Sequence, residues 1–246
     1  MKFKIIIPMY NVEDWVETTI TSLKEQTHEN YDCVILDDLS TDSSVKIVSS
    51  LIENDSRFKL IVNKDKKFAL KNIIDGIKIL NPEKEDVIVT LDGDDWLSNK
   101  NVLSRVAEEY TSKDVWLTYG NHTNFPDGEP YWPLFRYPDS VVQTNSFRKF
   151  RFLASHLRTF KFKLWQNVKE QDLQDEDGNY FQTAWDLAMM FPMLEMCGNR
   201  FSFIEDVLYV YNNKNPLNDY KIYQQLQIKT DMMLRMKPSY YAREKL

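Results

Sequence analysis

The sequence predicts an α/β fold built on a mostly parallel sheet with helices on both faces, followed by a smaller portion of mixed structure. Three observations predict it. Short apolar runs alternate with amphipathic helical stretches through the first 120 residues, the pattern of strands joined by right-handed crossovers. Clusters of carboxylates and turn residues follow these runs, at the edge where open parallel sheets bind ligands. Beyond residue 120 the alternation gives way to aromatic, basic and proline-containing segments.

In chain order, 3–8 (FKIIIP) reads as a strand, and 12–26 as a helix with Val12, Val16, Ile20 and Leu23 on one face. Residues 32–37 (DCVILD) form a second strand, and 41–54 a helix with Thr41 as N-cap. A third strand covers 58–63, and a helix over 68–80 is stopped by Asn81-Pro82. Residues 86–91 make a fourth strand, 101–110 a helix and 115–120 a fifth strand. Residues 121–146 read as loop or irregular strand. The run 147–165, mixing Phe with Arg and Lys, reads as a helix with Phe inward and charges outward, and membrane-surface contact is a weaker alternative for it. A helix over 180–198 should kink at Pro192, 201–212 is strand-like, and a terminal helix spans about 217–236. A boundary near residue 120 separates a nucleotide-type half, 1–120, from a second half of mixed structure, 121–246, within one continuous domain.

Composition narrows the function classes. Hydrophobic residues make up 43% of the 246, enough for a real core. A net charge of −6 argues against a nucleic-acid partner. Cys33 and Cys197 form no disulfide framework and fit reduced thiols of a cytoplasmic protein. The N-terminus lacks the apolar stretch of a signal peptide, and no run approaches the length of a spanning helix, so membrane contact would be peripheral. Oligomeric state is not legible.

Three loops should share one sheet edge: 8–11 (PMYN), 37–42 (DDLSTD) and 92–95 (DGDD). Their carboxylates would converge on one crevice. None of the six glycines belongs to a dinucleotide fingerprint or a phosphate-binding loop, so backbone N–H groups do not cradle phosphate by either of those devices. Phosphate in an acidic crevice needs a bridging dication, Mg2+ or Mn2+, while spare carboxylates can accept bonds from sugar hydroxyls or a base N–H. A nucleoside diphosphate with a metal satisfies these demands together.

Residues 5–44 together with 91–97 (LDGDDWL) resemble the family 2 glycosyltransferases of the GT-A fold, a Rossmann-like architecture; 183–198 is similar to that family's base-bearing helix, and 204–219, less specifically, to its C-terminal segment. The resemblance implies an inverting enzyme moving a sugar from a UDP-sugar to a hydroxyl of a carbohydrate or glycoconjugate. It implies Asp186 as general base and Pro8, Tyr10, Asn11, Asp37, Asp38, Asp92, Gly93 and Asp94 around the nucleotide-sugar, with Asp38 and Asp37 toward uracil and ribose; separately, Arg158 is the first candidate of the basic-aromatic run to approach the diphosphate or an anionic acceptor, and Trp185 is a candidate sugar platform. It further implies Asp94 and Asp95 as ligands of Mn2+ or Mg2+. Two departures stand out: Leu39 occupies a turn position where the family usually has Gly, and the Glu-Asp base motif reads Trp185-Asp186. The choice of UDP over other nucleotides rests on the resemblance; the sugar, acceptor and third metal ligand are not legible.

Plainer readings compete. Asp92, Asp94 and Asp95 could cap the next helix, and Asp186 could be a first-turn acid favoured by the helix dipole. An EF-hand is excluded by Leu103 at the position of its final glutamate. Trp185 divides evenly between core and sugar platform, and Tyr131 and Trp132 read as packing residues with a smaller chance of lining an acceptor site. His156 reads as structural before metal-ligating; Asn218 and Asp219 belong to a segment that could cover the nucleotide. The alternative functions are a phosphohydrolase of the haloacid dehalogenase type, for which Trp96 is the wrong residue and the fourth strand the wrong place, and a non-catalytic nucleotide-sugar-binding protein.

Overall fold

β1 (Phe3–Met9) is buried along its whole length because helices cover both faces of the sheet it centres, which is why its sequence is continuously apolar. The computed structural model describes residues 1–129 and 134–246; Tyr131 and Trp132 lie outside the described residues. After β1 come α1 (Val16–Lys24), β2 (Tyr31–Asp37), α2 (Ser44–Ile52), β3 (Phe58–Val62), α3 (Phe68–Leu80), β4 (Val87–Thr90), β5 (Trp96–Leu97), α4 (Val102–Ser112), β6 (Leu117–Phe125) and α5 (Asp139–Gln143). The remainder is β7 (Thr159–Lys161), α6 (Phe162–Trp165), α7 (Trp185–Cys197), β8 (Phe201–Asn212), α8 (Asp219–Ile222) and α9 (Gln224–Met236).

Among the described residues the sheet order is β3-β2-β1-β4-β7-β6-β8-β5. β3, β2, β1 and β4 are parallel, as expected from the alternation. β7 pairs antiparallel with both β4 and β6, so the strand expected as the fifth parallel neighbour is displaced by one position. β8 runs parallel to β6, and the two-residue β5 pairs antiparallel with β8.

Strand alternation sorts the core into two layers. Ile5 and Ile7 pack with Val16, Ile20 and Leu23 of α1 and with α4, while Ile6 packs with Leu70, Ile73 and Ile77 of α3 and with the all-buried middle of α7. α7 runs through Pro192 and is apolar nearly all round, as a helix enclosed on every side must be. Cys33 and Cys197 are both buried in these layers.

Several sequence expectations change. α1 begins at Val16, four residues later than its apolar pattern, because residues 12–15 make a turn closed by Val16 N–H on Val12 O at 2.9 Å. Thr41 is not an N-cap: α2 starts at Ser44, whose N–H donates to Asp42 Oδ1 at 3.0 Å. The basic-aromatic run is not one helix. It contains a 3-10 turn over Phe147–Lys149, extended chain, β7 and α6. Among its cations, Arg148 is buried against Glu195, and Lys161 and Lys163 pair with Glu85; without one continuous helix the amphipathic membrane face considered for it does not form.

Candidate active site

The parallel topology brings the ends of β1, β2 and β4 to one edge, and a cleft of about 500 Å³ opens there. Its walls include Pro8, Tyr10, Asp38, Asp92, Gly93, Asp94 and Asp95 from the first half, and Arg158, Trp185 and Asp186 from the second. Two sequence-expected residues do not line it. Asn11, at φ 50°, accepts the Thr41 N–H on its Oδ1 at 2.7 Å and so ties the first loop to the second. Asp37 is fully buried and clamps the turn by accepting the Ser40 N–H at 3.1 Å. Both hold the loops that frame the cleft.

Asp38 is held hard. Its Oδ1 accepts from Lys67 N–H at 2.8 Å and Asn63 Nδ2 at 2.9 Å, and its Oδ2 accepts from Phe68 N–H at 2.9 Å. Burial alone would raise its carboxyl, but the nearby Asn72 amide and the hydrogen bonds from Asn63 and from Lys67 and Phe68 N–H outweigh burial and hold it below the ordinary carboxylate range. The turn that follows carries Leu39 at φ 68°, so the leucine adopts the left-handed conformation that a glycine would take without strain. Lys66 stands 3.5 Å from Asp38 Oδ2 with its ammonium 2.9 Å from the centre of the Tyr10 ring. Sequence reading missed Lys66; a lysine in a lysine-rich loop carries no signal of its own.

The loop after β4 gathers the acids. Gly93 donates its N–H to Pro8 O at 3.1 Å, and a Cβ there would lie 2.6 Å from Met9 Cβ, so only glycine lets this loop lie against the end of β1. Asp95 is 1% exposed; it accepts from Tyr209 Oη on Oδ2 at 2.6 Å and from Asn212 N–H on Oδ1 at 2.7 Å. Asp94 accepts from Asn215 Nδ2 at 2.7 Å. Burial first, and then the neighbouring carboxylates Asp94 and Asp92, push the Asp95 carboxyl far up; burial and Asp94 lift Asp92 to about 7. Asp219 lines the cleft with Asn218 and is lifted to about 6 by burial and by Asp94. This cluster is short of positive charge.

A metal would supply that charge, and the donors present fit one. One ligand atom from each of Asp92, Asp95 and His156 lies within 4.8 Å of the others. His156 is buried and held neutral by burial first and then by Arg158, the form in which imidazole ligates. This grouping keeps Asp95 of the sequence-expected metal pair and adds Asp92 and His156 as candidate ligands.

Arg158 links the two halves. Its guanidinium lies 3.3 Å from both ring nitrogens of His156, donates to Asp186 Oδ2 at 3.0 Å, and sits 5.2 Å from the Trp185 ring centre. Asp186 is in the first turn of α7, so the helix-dipole reading also holds, but its side chain opens into the cleft. Trp185 both lines the cleft and packs on the core.

Residues 4–168 match the model of the family described as Glycosyl transferase family 2. The chain belongs to that family. Over 220 residues this family 2 chain is 24% identical to Glycosyltransferase GlyG of Streptococcus pneumoniae serotype 4, covering 86% of its own length and 70% of GlyG. Over 108 residues it is 36% identical to a poly(ribitol-phosphate) beta-glucosyltransferase of Bacillus spizizenii, covering 42% of itself and 16% of that enzyme. S. aureus TarS 1-349, solved with UDP-GlcNAc, superposes with a TM-score of 0.68 at 19% identity over 93% of this chain and 66% of that one. The mannosyltransferase PcManGT of Pyrobaculum calidifontis, solved with GDP-Man and Mn2+, gives a TM-score of 0.63 at 16% identity, covering 97% and 66%. These likenesses establish the GT-A fold of the family 2 chain. The phosphohydrolase and non-catalytic readings gain nothing from them.

Proposed function

We propose that this chain is an inverting glycosyltransferase that moves a sugar from a UDP-sugar to a hydroxyl of a carbohydrate or glycoconjugate, with Asp186 as general base. The observation that carries the reading is the convergence of Asp38, Asp92, Asp94 and Asp186, remote in sequence, on one cleft. TarS, which shares the fold, was crystallised with UDP-GlcNAc, and that supports a uridine donor here.

The residues divide the work. Asp38, fixed by its three hydrogen-bond donors, offers a remaining lone pair to the base, and Tyr10 offers a ring face beside it. Asp92 and Asp94 accept from ribose hydroxyls. Asp92, Asp95 and His156 would hold Mn2+ or Mg2+, with Asp94 beside them; when bound, the dication supplies Lewis-acid neutralisation of charge on the departing diphosphate. Arg158 orients Asp186 through its 3.0 Å ion pair and brings a second cation to the acidic wall. Asp186 takes the acceptor proton as the hydroxyl attacks, and a base acting opposite the leaving group gives inversion. Trp185, next to Asp186, offers an apolar face for the acceptor sugar.

Asp186→Asn tests the assignment. UDP affinity by calorimetry should stay near wild type while transfer falls roughly 10²–10⁴-fold. Transfer at the wild-type rate would remove Asp186 from the role, and loss of UDP affinity would place it in the donor site.

A further inference from the structure

Large exposed apolar side chains concentrate at the C-terminal end of the chain. Tyr220 is 61% exposed and Ile222 48% on α8, and Ile228, Met232 and Met236 are 57%, 61% and 84% exposed on α9. The last three are spaced four residues apart and share one helix face, forming a ridge. The ridge faces away from the described body of the fold. The opposite side of α9 is seated by buried Thr230 and Leu234, and Arg235 donates to Arg148 O at 2.8 Å and Phe150 O at 2.6 Å. The apolar ridge is therefore held rigidly outward.

Charge says what it faces. Residues 213–246 carry seven Lys or Arg against three Asp or Glu, a local +4 in a chain of net −6. Lys229 is exposed on α9 one residue from Ile228, and Lys214 is exposed just before α8. Apolar and tyrosine side chains set among lysines on a surface helix suit an anionic lipid interface, where the apolar groups enter the headgroup boundary and the cations meet lipid phosphates. A two-fold contact with a second copy through the same face would instead set the exposed Lys229 and Lys214 of one copy against the like charges of the other. The surface is also continuous with the cleft: Tyr220, Ile222 and Tyr223 line its mouth.

We propose that the α8–α9 ridge is a docking surface for an anionic lipid bilayer. A bilayer held there presents lipid-borne hydroxyls to the mouth of the cleft; that consequence rests on the proposed glycosyltransferase function, whereas the docking itself does not. The test is flotation of the whole chain with vesicles of phosphatidylcholine alone or mixed with phosphatidylglycerol. The protein should float with the anionic vesicles, remain behind with the neutral ones, and release as salt is raised. The triple variant Ile228→Ser, Met232→Ser, Met236→Ser should lose roughly tenfold or more of the partition, and Lys229→Glu should lose part of it with the ridge intact. Unchanged UDP affinity in the triple variant shows that it folds. No flotation with anionic vesicles, equal flotation with neutral ones, or an undiminished partition of the triple variant would overturn the proposal. So would a dimer that the triple variant disperses while neither protein floats. Failure of the wild type to bind UDP would sink the glycosyltransferase reading and leave the flotation result standing.

Discussion

Ionising Asp92 in the metal-free protein should destabilise the fold, and a bound dication should reverse the loss. Burial and the charge of Asp94 lift this carboxyl from its ordinary 3.8 to about 7. Below pH 3.8 it is protonated in both folded and unfolded chains and has no effect. Between about 4 and 7 the unfolded chain releases the proton that the folded chain keeps, so stability falls as pH rises, and above 7 the whole cost is present. At 1.36 kcal/mol per pKa unit that cost is about 4 kcal/mol, of which about 2–3 kcal/mol develops between pH 5 and 8. For a chain of this length it corresponds to roughly 5–10 °C of melting temperature. His122, lowered to about 4 by burial and Arg158, works in the opposite direction below pH 6.5, as does His156. The readout is therefore the difference between wild type and Asp92→Asn, measured by calorimetry in EDTA at both pH values. The variant should gain on wild type from pH 5 to 8. Manganese should raise the wild-type melting temperature far more at pH 8 than at pH 5 and should do little to the variant. A variant that tracks wild type at both pH values, or an equal manganese response at each, would refute the reasoning.

Leu39→Gly should stabilise the chain by roughly 0.5–1 kcal/mol: relief of a left-handed leucine is worth about 1–2 kcal/mol, and the freer unfolded glycine takes back about half. A urea midpoint at or below wild type would show that the half-exposed Leu39 side chain makes contacts worth more than the strain. Arg148→Ala strands Glu195, which is fully buried and accepts from Arg148 Nε at 2.6 Å and Nη2 at 2.9 Å, and should cost about 3–5 kcal/mol by the same assay. The double change Arg148→Met with Glu195→Leu should cost less than the single one, because no charge is left unpaired.

What the sequence made legible follows from where each interaction is local. β1 to β4 and their helices were readable because burial on both sheet faces forces continuous apolar runs, and the acids after them were placed by topology alone. β7 was not. Thr159–Lys161 is three residues inside a Phe, Arg and Lys run whose spacing also fits a helix, and only pairing with β4 and β6 decides its state. Arg158 could be singled out as a cation near the site, but its partners His156 and Asp186 are set by that same strand. The hold on Asp95 was invisible for another reason: Tyr209 and Asn212 reach it from β8, over a hundred residues on, and no periodicity in either segment reports the contact. The loop-building bonds of Asn11 and Asp37 were not legible, because a turn that needs clamping and a site that needs acids use the same residue types.

Backbone conformation ties the acids to the cleft at a cost local propensity would avoid. Of the described non-glycine residues at positive φ, Asn11, Asn81 and Asn145 are asparagines, which tolerate it; the others are Leu39, Phe68 and Ala184. All three adjoin a cleft acid. Leu39 follows Asp38 directly, Phe68 donates its N–H to Asp38 Oδ2, and Ala184 begins the turn that launches Trp185 and Asp186. A core chosen for stability alone would relax such positions, and it would not set the half-buried Asp92 and Asp94 beside the buried Asp95. Strain and like-charge repulsion coincide at one edge of the sheet while the rest of the molecule follows ordinary packing, and that coincidence is what a site preorganised for a cation-bearing ligand requires.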